Sequence, residues 1–121
     1  MNSTDDKIAK FNQMLQEMKQ DYLESFPKRI SLIKKYMSED KWQSVHEEYH
    51  KLKGTGKTYG FSEISIVCEV LELLSMKQPV TEVALFQDSI GLLERMHQTY
   101  LQNQPFELEK DPVATRLLAL K

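Results

Sequence analysis

The stretch "HEEYHKLKGTGKT", residues 46–58, holds three candidate chemistries. His46-Glu47-Glu48-Tyr49-His50 spells the zinc-protease pattern H-E-x-x-H. Two histidines four residues apart share a helix face, and Glu47 would be the base. Gly54-Thr55-Gly56-Lys57-Thr58 looks like the end of a phosphate-binding loop. His50-Lys51-Leu52-Lys53-Gly54-Thr55 looks like a helix that can carry a phosphoryl group on histidine. The phosphate loop fails on spacing and context. The glycine required five residues before Gly56 is Lys51, and the preceding segment reads as helix where a buried strand is needed. A catalytic zinc needs a third ligand set by a larger fold. Downstream, Glu69, Glu72 and His97 are only metal-capable residue types, and Cys68 and His97 lie on or beside apolar stripes.

The third chemistry accounts for more residues at once. At about 100° per residue, His50 lies roughly 130° from the centre of the Trp42/Val45/Tyr49/Leu52/Gly56 stripe, which puts it on the outward face. Gly54 and then Lys57 follow it there. A glycine inside a helix costs about 1 kcal/mol relative to alanine, and here it would let another protein's surface approach the imidazole. Lys53, three residues from His50, and Lys57 beyond it would offset the charge of a phosphoryl group, with the Thr55 hydroxyl nearby. Imidazole suits this role, because it is nucleophilic when neutral and its ordinary pKa of about 6.5 leaves it largely neutral at cytoplasmic pH.

Length and composition limit what can position these residues. A chain of 121 residues makes one domain, 1–121, able to bury one core without disulfides or metal. Apolar residues at 40% and charged residues at 28% fit a globular chain. The single cysteine, Cys68, points to a reducing compartment, and the N-terminus lacks secretory signal features, so the expected location is the cytoplasm. No run approaches the ~20 apolar residues of a membrane span. Sixteen basic against eighteen acidic residues, a net charge of −2, give no general field for nucleic acid.

Apolar residues recur at three- and four-residue steps, with no strand-like alternation, which predicts an all-α protein. A first stripe (Ile8, Phe11, Leu15, Met18, Tyr22, then Phe26, Ile30, Ile33, Met37) runs from Thr4 to about Ser38. Pro27 should break it into two helices. Residues 38–40 should end the second and cap a third. A fourth helix is expected from about Phe61 to Met76, and a fifth capped by Thr81, its stripe running to Tyr100. Asp111-Pro112 should open a short C-terminal helix. Short connections favour an antiparallel up-down four-helix bundle with additional N- and C-terminal helical segments, 1–21 and 104–121. If every apolar stripe is buried internally, the chain is a monomer.

In this setting the stretch resembles the histidine-containing phosphotransfer (HPt) family, whose signature is His-x-x-Lys-Gly-Ser/Thr with a glycine ten residues after the histidine. His50, Lys53, Gly54, Thr55 and Gly60 fill it, and the flanking helices extend the similarity over about Tyr22 to Tyr100. The resemblance implies a four-helix bundle without kinase activity. It would carry a phosphoryl group on Nε2 of His50 to or from the aspartate of receiver domains, in response regulators or a hybrid histidine kinase. No cofactor would be bound by this chain; Mg²⁺ would come with the receiver. Lys53 would stabilise phosphoryl charge, Gly54 give clearance, and Thr55 and Gly60 shape the helix and its turn. The helix geometry adds a docking face of Gln43, His46, Glu47, His50, Lys51, Gly54 and Lys57, rimmed by a neighbouring helix. A zinc hydrolase built on His46-Glu47-x-x-His50, or a receiver-docking bundle without transfer, are the alternatives.

Overall fold

The computed structural model describes residues 3–121; residues 1–2 of the expected N-terminal segment lie outside the described residues. The chain forms α1 (Ser3–Ser38), α2 (Trp42–Thr58), α3 (Ser62–Ser75), α4 (Val83–Leu101), a 3₁₀ turn (Leu108–Lys110) and α5 (Pro112–Leu118). No strand occurs among the described residues, and none of their helices is long and apolar enough to cross a membrane. The all-α bundle read from periodicity is the observed architecture.

The expected break at Pro27 does not occur: α1 runs unbroken through it for 36 residues. Proline at 27 removes the N–H that would have bonded the carbonyl of Leu23. In its place His97 of α4 donates from Nε2 to that carbonyl oxygen at 2.7 Å, and the His97 ring stacks on Phe26 with centroids 5.4 Å apart. The helix keeps its course because a second helix satisfies the acceptor the proline leaves open.

Two expected caps also differ. The ladder of α2 starts at the Lys41 carbonyl, which accepts from Val45 N–H, and no side chain caps it. Asp40 instead takes a left-handed conformation (φ 57°) that closes α1, with Lys41 N–H reaching back to the Tyr36 carbonyl. At α4 the first accepting carbonyl is that of Glu82, so Thr81 stands one residue too early to cap. Asp111 behaves as expected: its carboxylate accepts from Val113 and Ala114 N–H and is gripped by Arg95, docking α5 with Ala114 and Leu117 in the core.

The core gathers Phe26, Ile30 and Ile33 of α1, Val45, Tyr49 and Leu52 of α2, Ile64, Val67, Cys68 and Leu71 of α3, and Phe86, Leu93 and Met96 of α4. Each such side chain contributes about 1.5–3 kcal/mol by leaving water. Burial of the stripes fails at Val83 and, over a longer run, in the first half of α1. Ile8, Phe11 and Met18 are 40–57% exposed, because α2, α3 and α4 turn back before reaching the first half of α1. The ground for expecting a monomer is therefore absent in that segment.

Candidate functional site

Helices α2 and α3 lie against each other because Gly56 lets them. A Cβ there would meet Ile64 Cγ2 and the Phe61 carbonyl oxygen at 3.2 Å, so a methyl group would force them apart. Gly60, at φ +84°, supplies the left-handed residue after α2, and Phe61 N–H returns to the Gly56 carbonyl at 2.8 Å. This tight turn sets the register in which α3 presents Glu72 to α2.

Glu72 is the residue the site is built around. Its carboxylate Oε1 lies 2.7 Å from His50 Nδ1 and its Oε2 lies 2.7 Å from Lys53 Nζ, so one side chain of α3 holds both residues of α2. The Glu72 side chain is 11% exposed while that of His50 is 65% exposed. Burial pushes the Glu72 carboxyl up, but the ion pair with Lys53 and the bond from His50 outweigh it and leave it below the usual carboxylate range. The same contact raises the Lys53 ammonium. An ionised carboxylate only accepts, so Nδ1 of His50 donates, and in the neutral ring the lone pair falls on Nε2 of this exposed side chain. A fixed tautomer with an outward nucleophilic nitrogen can attack an electrophile delivered from outside.

Around His50 the other expected face residues divide. Gln43, His46, Glu47, His50 and Lys51 line one shallow concavity of about 420 Å³, closed on the α3 side by Glu72 and Met76. Gly54 and Lys57 are exposed further along α2 but do not line it. A Cβ on Gly54 would meet nothing within 4 Å, so no contact inside the chain requires glycine there. Thr55 turns away from this face; its hydroxyl donates to the Lys51 carbonyl at 2.9 Å.

His46 meets a different part of Glu72 from His50. Its Nδ1 lies 3.1 Å from the Glu72 carbonyl oxygen, an acceptor in the last turn of α3, and 3.3 Å from Ser75 Oγ. Of the other metal-capable residues, Glu69 pairs with Lys121 and His97 is buried against Leu23, while burial raises the Cys68 thiol. Among the described residues no group of three or more His, Cys, Asp or Glu side chains is placed to hold a metal ion.

Sequence reasoning marks Glu72 only as a metal-capable residue. Its signal is available in part, as an acidic residue interrupting the apolar run "IVCEVLELL". Its partners are not, because they depend on how α3 rotates against α2.

Fold and site together define a helical bundle that displays one carboxylate-oriented histidine on an open face. The chain matches the model of the Hpt domain over residues 17–103, and it belongs to that family. The match reaches beyond both ends of the expected Tyr22 to Tyr100 similarity and leaves out the start of α1 and all of α5. Domains of this family serve histidine phosphotransfer in phosphorelays and engage receiver domains. Neither the curated proteins nor the solved structures contain a significant match to the chain.

Proposed function

We propose that this chain is a phosphocarrier of a multistep phosphorelay, which takes a phosphoryl group onto Nε2 of His50 and exchanges it with an aspartate of a receiver domain. One observation carries the reading: the 2.7 Å contact between His50 Nδ1 and the Glu72 carboxylate, which occupies Nδ1 and leaves Nε2 as the nitrogen for transfer on a side chain that is 65% exposed. In the forward step the Nε2 lone pair attacks phosphorus as the bond from phosphorus to the aspartyl oxygen breaks, and the receiver keeps its carboxylate. The imidazole becomes a phosphoimidazolium whose positive charge is offset by Glu72. The reverse step returns the group to an aspartate.

Lys53 serves this step by turning from Glu72 toward the phosphoryl oxygens, a short movement for a flexible ammonium. Gly54 leaves room for the receiver's active-site rim to approach Nε2. The concavity lined by Gln43, His46, Glu47 and Lys51 is the docking face, and the exposed Leu73 and Met76 of α3 add apolar contact at its edge. The receiver brings the acceptor carboxylate and Mg²⁺, so positioning and charge neutralisation are shared across a transient interface. The carrier has no kinase activity of its own, and its single buried thiol fits a cytoplasmic setting.

The test is to incubate the protein with a phosphorylated receiver or its kinase and follow acid-labile, alkali-stable label. His50→Gln should abolish labelling while His46→Gln keeps it. Loss with His46→Gln alone, or one equivalent of tightly bound zinc, would overturn the reading. Docking without label would leave only a receiver-binding bundle.

A further inference from the structure

The first half of α1 is the largest feature to which the phosphorelay reading gives no role. Lys19 lies beside Gly60 at the end of the bundle, and residues 3–15 extend beyond it by about 20 Å of helix. Along this overhang Ile8, Phe11, Leu15 and Met18 recur at steps of three and four residues, the spacing of a two-helix seam, and Ile8 and Phe11 are 55% and 57% exposed. Large contiguous apolar surface marks an interaction site.

We infer that the overhang pairs with the same segment of a second copy, antiparallel, to make a two-fold symmetric dimer. Set antiparallel, Ile8 packs on Met18 and Phe11 on Leu15 of the second copy. Met14 then meets its own counterpart near the two-fold axis, as does Asn12 on the opposite flank. The charges favour this occupant and this direction. Lys7 comes opposite Asp21 of the second copy, and Asp5 comes opposite Lys19, each pair formed twice by symmetry. A parallel pair would instead place Lys7 beside Asn12 and Met14 beside Lys19, with no opposite charges in register. The antiparallel pair brings the first turn of each copy to the end of the other's bundle, where Lys19 and Asp21 stand. His50 lies ten residues up α2 from Gly60, about 15 Å along the helix, so its face stays open to receivers.

The experiment is sedimentation of the full chain over a concentration series. Wild type should reach twice the 14.2 kDa monomer mass. Phe11→Glu should weaken the dimer by about a hundredfold with circular dichroism of the bundle unchanged. Lys7→Glu should weaken it by about fivefold, and adding Asp21→Lys should restore it. Under oxidation Asn12→Cys should cross-link and Thr4→Cys should not, since only a parallel pair places two Thr4 positions together. A chain that stays monomeric throughout overturns the proposal. So does a dimer indifferent to Phe11→Glu, cross-linking through Thr4→Cys, or a Phe11→Glu effect confined to receiver binding.

Discussion

Two histidines of this chain are each held by one ring nitrogen, and the difference between them separates structure from chemistry. His97 is buried between α4 and α1, gives Nε2 to a backbone carbonyl that Pro27 left without a donor, and stacks on Phe26. His50 stands on an exposed face, gives Nδ1 to a carboxylate, and leaves Nε2 open. A neutral carbonyl offers little compensation for a new positive charge on the ring, and burial denies a reactant access. A carboxylate offers that compensation, and exposure admits the partner. The same side chain therefore secures the fold in one place and stands accessible beside a carboxylate in the other.

The sharpest way to break this contrast is to exchange the consequences. His50→Gln should remove all acid-labile label yet leave the urea midpoint close to wild type, because an exposed side chain contributes little packing. His97→Ala should do the reverse, costing about 3 kcal/mol in urea unfolding through a lost buried bond, an orphaned Leu23 carbonyl and a cavity, while the folded fraction still labels. If His97→Ala abolishes labelling of folded protein, the division between the two histidines is wrong.

A smaller effect is expected at Glu72. Glu72→Gln keeps the shape but removes the charge, and should slow labelling by about tenfold, the size of one lost charge-assisted interaction. The substitution also tests stability against pH. The folded Glu72 carboxyl lies below its ordinary value, so its stabilisation is present above an unfolded pKa of about 4.3 and is lost as pH falls through the lower folded value. Lys53 is raised by the same pair, so its contribution holds below about 10.4 and is lost as pH rises beyond. Urea midpoints across acid and alkaline series should therefore flatten at both ends in Glu72→Gln.

The smallest expected change is at Gly54. Since a methyl group there meets nothing, Gly54→Ala should stabilise the fold by about 0.5–1 kcal/mol through helix propensity and a less flexible unfolded chain. It should at the same time slow transfer from a receiver. A gain in stability with transfer unchanged would show that the clearance has no use.

Much of the molecule is legible in its residues alone. The three- and four-residue steps mark out α2, α3, α4 and the helical bundle, Asp111-Pro112 announces α5, and the motif of His50, Lys53 and Gly54 points to the family. The break expected at Pro27 fails because a proline's effect on its own helix is local, whereas its repair comes from His97 on α4. Thr81 and residues 38–40 mislead as caps because several adjacent polar residues can cap, and the loop path selects which carbonyl starts the ladder.

What the sequence determined by itself was the kind of element and the family signature around His50, since helical periodicity and a local motif are properties of short segments. Tertiary structure alone decided which nitrogen of His50 meets a carboxylate, because Glu72 arrives on a different helix at 2.7 Å. It also decided that half of a continuous apolar stripe on α1 goes uncovered, since the same spacing of Phe11 and Phe26 ends in water for one and in the core for the other. Both outcomes depend on where neighbouring helices begin and end.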